Sequence, residues 1–365
     1  MSLATRLTPI VDPAALEPRW RALEAAADAP SFFLRWTWMG SWLAALQAAS
    51  IALPRLLTIG GEGGGGGEGD EAAFALIGEG RAPHKAGAVP ALWLNQSGNE
   101  EGDRPYIEYN GLLCRAGMED AAGRAFCAAI AARKGWSALH LAGVAPDSEL
   151  AVLPGIRRRV EVDASPACYV DLDAVRGAGG EYLSLLSANT RSQIRRSLKE
   201  EAAAPVIDAA GDAAQVDQWL EDMARLNAGR HEDNAWDAPF FRDFARRLAL
   251  AGLADGSVEV LRITVAGGVL GYLLNFLWAG RVMNYQSAFA PPRGAKSKPG
   301  LMCHAAAIER AAARPDQRLY SFLAGKDRYK QSLATGSETL CWLVLERFDI
   351  RLEAEAAARR LLRRP

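Results

Sequence analysis

The chain has 365 residues, half of them hydrophobic and 23% charged, with a formal net charge of -1. This is the profile of a globular protein rather than a fibrous or disordered one, long enough for two domains at roughly 150 residues each. It also speaks against nucleic acid as a partner, because a global nucleic-acid-binding surface shows as a strongly basic domain.

The five cysteines, Cys114, Cys127, Cys168, Cys303 and Cys341, are scattered and form no C-x-x-C pair. They read as reduced thiols. The opening "MSLATRLTPIVDPAALEPRW" lacks the basic and apolar regions of a signal peptide, and no stretch approaches ~18 uninterrupted apolar residues. The expectation is a cytoplasmic protein.

Taken in chain order, a helix is expected around Ala14 to Ala27. "SFFLRWTWMGSWLAAL" follows, with Trp38, Trp42 and Leu46 at i, i+4, i+8 on one buried face. "LPRLLTIG" and "EAAFALIGEG" read as a strand hairpin around the loop "GGEGGGGGEGD". Gly61, Gly63 and Gly66 form a literal G-x-G-x-x-G there, but a strand follows where dinucleotide binding needs a helix, so the stretch reads as a flexible acidic loop. Strands are expected at "ALWLN", "YIEYNGLLC", "ALHLAG" and "RRVEV", with a helix at "MEDAAGRAFCAAIAARKG". A domain boundary is placed near Ser165, where Pro166 interrupts a polar stretch before a fresh strand.

The second half opens with strand "YVDLD" and a helical region "EYLSLLSANTRSQIRRSLKEEA", then strand "PVIDAA" and helices "DAAQVDQWLEDMARLNAGR" and "PFFRDFARRLALAG". Strand "SVEVLRITV" precedes a hairpin of "GVLGYLLNFLWAG" and "RVMNYQSAFAP" turning at Ala279-Gly280. An alanine-rich helix after "KPG" and strands "LYSFLAG" and "TLCWLVLE" complete a mixed α/β layout.

"NYQSAFAPPRGAKSKPGLMCHAAAIERAA", followed by "LYSFLAGKDRYKQSLAT", resembles the CelD-like branch of the GNAT acyltransferases, named for a cellulose biosynthesis protein. "LSANTRSQIRRSLKE" is similar to a helix that this branch shares with FemAB-type transferases. The match covers about residues 166 to 345 and departs from the branch at Ser321, where members often carry an acid. The resemblance implies tandem GNAT-like domains, each a mixed, mostly antiparallel sheet flanked by helices. They would comprise a divergent domain over 1–165, the acyltransferase domain over 166–350 and a basic C-terminal helix or tail over 351–365. It also implies a coenzyme A thioester as co-substrate, an amine as acceptor and no metal.

A helix N-terminus carries unpaired N–H groups and partial positive charge, which suits pyrophosphate. Arg293, Lys296 and Lys298 add cations there, and Pro299, Gly300 and Leu301 open the helix, although only one glycine stands where the usual Q/R-x-x-G-x-G/A pattern has two. The resemblance places the pantetheine arm along "RVMNYQSAF", where Tyr285 and Gln286 are polar in an apolar strand. His231 and Glu232, in the loop "GRHEDNAWDAPFF", suit a general base for the acceptor amine, and His304 is a second candidate. Tyr329 suits an acid for the departing thiolate, and Lys330 suits an anionic acceptor group or the developing oxyanion. Arg191, Arg195 and Lys199 line one helix face, which leaves aminoacyl-tRNA as an alternative donor. A non-catalytic subunit of exopolysaccharide or cellulose synthesis is the third reading. The ending "ARRLLRRP" is basic and partly amphipathic, which suggests peripheral contact with the inner face of a membrane.

Overall fold

A computed structural model of the chain describes residues 3–61, 71–201, 203–230 and 234–362. The chain divides into two compact units, unit 1 being Met1–Ala164 with Leu340–Pro365, and unit 2 being Ser165–Thr339.

Unit 1 holds β1 (Ala4–Pro9), α1 (Pro13–Ala25), α2 (Trp36–Ala48), β2 (Arg55–Gly60), β3 (Glu71–Ala82), β4 (Val89–Leu94), β5 (Leu113–Cys114), α3 (Glu119–Ala132) and β6 (Ala138–Val144). The long strand β7 (Arg158–Asp171) carries the chain into unit 2, through Ser165 and Pro166 without a linker. Unit 2 continues with α4 (Leu172–Gly177), α5 (Ala188–Glu201), β8 (Val206–Ala209), α6 (Ala213–Asn227), α7 (Pro239–Asp255), β9 (Val258–Val265) and β10 (Gly268–Trp278). After these come β11 (Arg281–Phe289), α8 (Pro299–Ala312), β12 (Leu319–Ala324) and α9 (Arg328–Leu333). Strand β13 (Gly336–Glu346) returns the chain to unit 1, which α10 (Ile350–Leu362) completes.

The two units share one plan. In unit 1, β1, β2, β3 and β4 pair antiparallel in succession, β4 is parallel to β6, and β6 is antiparallel to β13. In unit 2, β8, β9, β10 and β11 do the same, β11 is parallel to β12, and β12 is antiparallel to β7. Helix α3 joins the parallel strands of unit 1 and α8 those of unit 2, as a parallel pair needs a crossover. A bulge recurs at one place, on β6 opposite β13 with Gly143 at φ 63°, and on β12 opposite β7 with Leu323 at φ 58°. The fold is thus mixed α/β, each sheet mostly antiparallel and flanked by helices.

The period-2 alternation of half-buried strands fixes what each face of unit 2 meets. Leu261, Ile263 and Val265 of β9 pack with Met302, Ala305, Ile308 and Ala312 of α8 and with Val175, Tyr182 and Ile194. Facing the other way, Tyr272 of β10 meets Trp219 of α6, their ring centroids 6.1 Å apart. Helix α6 forms because Val216, Trp219, Leu220, Met223 and Asn227 recur at three- and four-residue spacing and the Asp212 carboxylate accepts from the Gln215 N–H at 2.8 Å. Helix α7 begins at Pro239 and ends at Gly256, whose φ of 74° is the left-handed cap glycine adopts readily.

Two sequence expectations are corrected and one element is new. Leu340–Pro365 belong to unit 1 rather than to 166–350 and a separate tail. Cys341 to Glu346 pair with β6, while α10 is held through Glu355 on His84 and Arg351 on the Ala88 carbonyl. "YIEYNGLLC" is a strand only at Leu113–Cys114, since Tyr109 sits at φ 47° and Asn110 turns its side chain onto the Leu94 carbonyl. "DRYKQSL" carries a short helix, α9, that the sequence did not announce.

Candidate functional site

Strands β11 and β12 run side by side only from Arg281 to Met283 and from Leu319 to Ser321, after which the register ends and the strands diverge. A parallel pair that splays this way opens an edge of unpaired backbone. Side chains from the end of α6 meet part of that edge. Asn227 Nδ2 donates to the Ser287 carbonyl at 3.1 Å and Arg230 to the Phe289 carbonyl at 2.6 Å.

The bend in β11 rests on a buried polar network. Asn284 Nδ2 donates to Asn275 Oδ1 at 2.9 Å, Ser287 Oγ donates to Asn284 Oδ1 at 2.8 Å, and Asn275 Nδ2 reaches Glu259 at 3.3 Å. Asn275 and Asn284 are buried where a strand interior favours apolar residues, and the β10–β11 register shifts between Leu274 and Asn275. Asn275 and Asn284 escaped the sequence reading, although a pair of Asn residues inside two apolar strands was the available signal.

Helix α8 starts beside this divergence. Lys298 is its N-cap and makes no side-chain cap, so the N–H groups of Gly300 and Leu301 have no intrahelical acceptor. Pro299 brings no N–H to be satisfied. A Cβ on Gly300 would stand 3.1 Å from the Phe289 ring, so a larger residue would press on β11. Lys296 and Lys298 are exposed, and no salt bridge engages either among the described residues. Arg293 is committed differently, to Glu201 at 3.3 Å, and Ser297 Oγ also donates to Glu201 at 2.9 Å. Ser197 of α5 donates to the Lys296 carbonyl at 2.7 Å, so the basic loop is pinned to α5 on one side.

Tyr285 and Gln286 lie on the diverging part of β11, but their side chains are engaged. The Tyr285 ring stacks on Phe276 at 4.9 Å, and Gln286 Oε1 accepts from the Trp236 indole at 3.1 Å. What β11 offers a ligand is therefore chiefly backbone.

On the β12 side, Ser321 is buried and its Oγ accepts from the Leu323 N–H at 3.1 Å, holding the bulge rather than standing in for an acid. Helix α9 carries Tyr329 and Lys330. Burial, with Asp327 nearby, pushes the Tyr329 phenol well above its ordinary range, so it keeps its proton at neutral pH. Lys330 Nζ donates to the Ala324 carbonyl at 2.7 Å. His304, on α8, is wholly buried; burial, then the Lys330 charge, lower its pKa to about 3. That is a poor general base at neutral pH. The structure thus gathers Gly300, Leu301, Lys296, Lys298, Tyr285, Gln286, Tyr329 and Lys330 on the elements around one divergence. His231 and Glu232 lie outside the described residues.

The same divergence in unit 1 is filled by its own chain. Strands β4 and β6 pair only over Ala91–Trp93 and Ala138–His140. The Asn110 N–H then donates to the Gly143 carbonyl at 3.0 Å, and a Cβ on Gly143 would stand 2.5 Å from the Ile107 carbonyl oxygen. Asn95 Nδ2 fastens the plug through Asn110 Oδ1 at 2.8 Å.

A cationic groove of about 260 Å³ runs along α5, lined by Ala188, Arg191, Ser192, Arg195, Arg196 and Lys199. Among the described residues no group of three or more His, Cys, Asp or Glu gathers as a metal site. Among them, too, no helix is long and apolar enough to cross a membrane.

Several solved structures share the fold at low identity. FemX aligns over 98% of this chain and 99% of its own at 9% identity and a TM-score of 0.53. L-PGS from Bacillus licheniformis aligns over 99% and 100% at 12% identity and 0.53. The C-terminal domain of a candidate lysylphosphatidylglycerol synthetase from Agrobacterium fabrum aligns over 95% of each chain at 11% and 0.53. No curated protein matches the chain. Residues 188–331, which run from the start of α5 into α9 and include β11, α8, β12 and Tyr329, match the family model of the acetyltransferase (GNAT) domain.

Proposed function

We propose that unit 2 transfers an acyl group from a coenzyme A thioester to an amine by direct transfer. The carrying observation is the divergence of β11 from β12, with the uncapped start of α8, Lys296 and Lys298 beside it and a protonated Tyr329 on the β12 side. The residues present fit this donor. Two free N–H groups and two exposed ammonium groups suit a pyrophosphate, and an unpaired strand edge suits an amide-bearing arm. The GNAT match over this segment supports the same co-substrate.

In the step itself the amine nitrogen attacks the thioester carbonyl, the C–N bond forms and the C–S bond breaks. Tyr329 gives its proton to the departing sulfur and regains one from solvent, while the amine loses a proton to a base. His231 and Glu232 are the proposed bases, and Lys330 the proposed holder of negative charge near the acceptor. Tyr285, Gln286 and Arg293 act by shaping the strand and the loop.

The acceptor we favour is an amine of envelope polysaccharide or lipid biosynthesis, a long-chain lipid amine among them, at the inner face of the membrane. Its support is the CelD-like sequence resemblance and a fold shared with FemX and L-PGS. Incubating the purified chain with acyl-CoA of graded length and an amine panel, and following free thiol and product mass, tests the proposal. No thiol release with any donor would sink it.

A second reading, an aminoacyl-tRNA donor, is favoured by the α5 groove with its four cations. It predicts binding that weakens steeply as salt rises. Salt-insensitive use of acyl-CoA would reject it.

A further inference from the structure

We propose that His304 is a positioning residue for Tyr329, its imidazole plane setting where the phenol stands. This rests on the reading of Tyr329 as the proton donor. The two rings lie nearly parallel, 16° apart, with centroids separated by 5.6 Å. Phe322 packs edge-on against Tyr329 at 6.4 Å and 89°. His304 is itself boxed by Phe289 at 5.6 Å and Phe322 at 5.2 Å, both edge-on. Its Nδ1 lies 3.3 Å from Tyr320 Oη, which fixes the rotation of the imidazole. Tyr329 sits in a six-residue helix with no side-chain N-cap; buried Leu333, whose carbonyl accepts from Tyr182 Oη at 2.6 Å, and Lys330 on the Ala324 carbonyl hold α9, and the ring contacts set the phenol itself.

A base or acid role does not fit this histidine. It is wholly buried, and Nε2 has no hydrogen-bond partner among the described residues. An apolar side chain of similar volume would avoid that unsatisfied nitrogen. A planar ring able to stack on a phenol and to be held by Tyr320 is what the imidazole supplies that leucine or methionine would not.

The test uses the full chain with ring-labelled tyrosine, the Tyr329 resonance being assigned from Tyr329→Phe. His304→Phe keeps a planar partner, and we expect its Tyr329 resonance to stay near the native position and kcat to change less than about threefold. His304→Leu removes the plane, and we expect a shifted resonance and a kcat lower by about tenfold or more with the donor KM nearly unchanged, the signature of misplacement. Should His304→Leu not fold, His304→Met takes its place. An unmoved resonance in the apolar variant overturns the proposal alone, as does a loss in His304→Phe equal to that in His304→Leu. A shifted resonance with unchanged kcat overturns the reading of Tyr329 as donor, and the proposal with it.

Discussion

Acidification should destabilise this protein through His304, by an amount the structure lets one work out. Burial, then the nearby Lys330 ammonium, lower the His304 pKa from 6.5 to about 3. Below the unfolded pKa the unfolded chain takes up a proton that the native state refuses, so stability present at neutral pH is lost as pH falls from about 6.5 toward 3. At about 1.4 kcal/mol per unit of pH, the interval from about 6.5 to 5 is worth roughly 2 kcal/mol. His140, in unit 1, is lowered to about 4 by burial and by His84, and it adds to the same trend. The assay is chemical denaturation at pH 7.5 and 5.0 of the native chain and of His304→Phe, which removes one titrating group while filling the same space. The variant also loses the contact with Tyr320, but that loss is common to both pH values. We expect the drop in stability between the two pH values to be smaller by about 2 kcal/mol in the variant. Equal drops would show that His304 titrates normally and would refute its burial as a neutral group.

Three further outcomes follow from the same geometry. Lys296→Ala with Lys298→Ala should raise the donor KM by about tenfold while changing kcat little, because charges at the far end of a substrate bind ground and transition state alike. Steady-state kinetics at two ionic strengths would show the effect fading with salt. Asn284→Ala should cost about 2 kcal/mol in denaturation experiments, since it strands Asn275 and Ser287 in a buried network. Calorimetric titration with coenzyme A should find one site per chain, because residues 107–110 fill the divergence of unit 1.

What the sequence made legible was local. Pro299-Gly300 before an alanine-rich run marks the start of α8, and Ala279-Gly280 marks the turn between β10 and β11, because both rest on backbone preferences of a few residues. What it hid was long-range. His304 is boxed by Phe289, Tyr320, Phe322 and Tyr329, which come from two strands and another helix, so its isolation from water has no short-range signature. The return of Leu340–Pro365 to unit 1 depends on pairing between β6 and β13, some two hundred residues apart, which no local pattern encodes. Residues 106–114 alternate like a strand, yet they fold into the unit 1 divergence because Asn95, Asn110 and Gly143 bond across it. Pro166 marks the change of unit at Ser165, but the strand expected to begin afresh there is the continuation of β7, which runs from Arg158 to Asp171.

Photo-crosslinking tests whether the divergence between β11 and β12 receives an acyl-CoA. An acyl-CoA with a diazirine in its acyl chain would be bound, irradiated and mapped by peptide mass spectrometry on the intact chain. Attachment is expected within residues 284–304 and 320–330, suppressed by excess coenzyme A. Attachment confined to unit 1, or insensitive to coenzyme A, would contradict it.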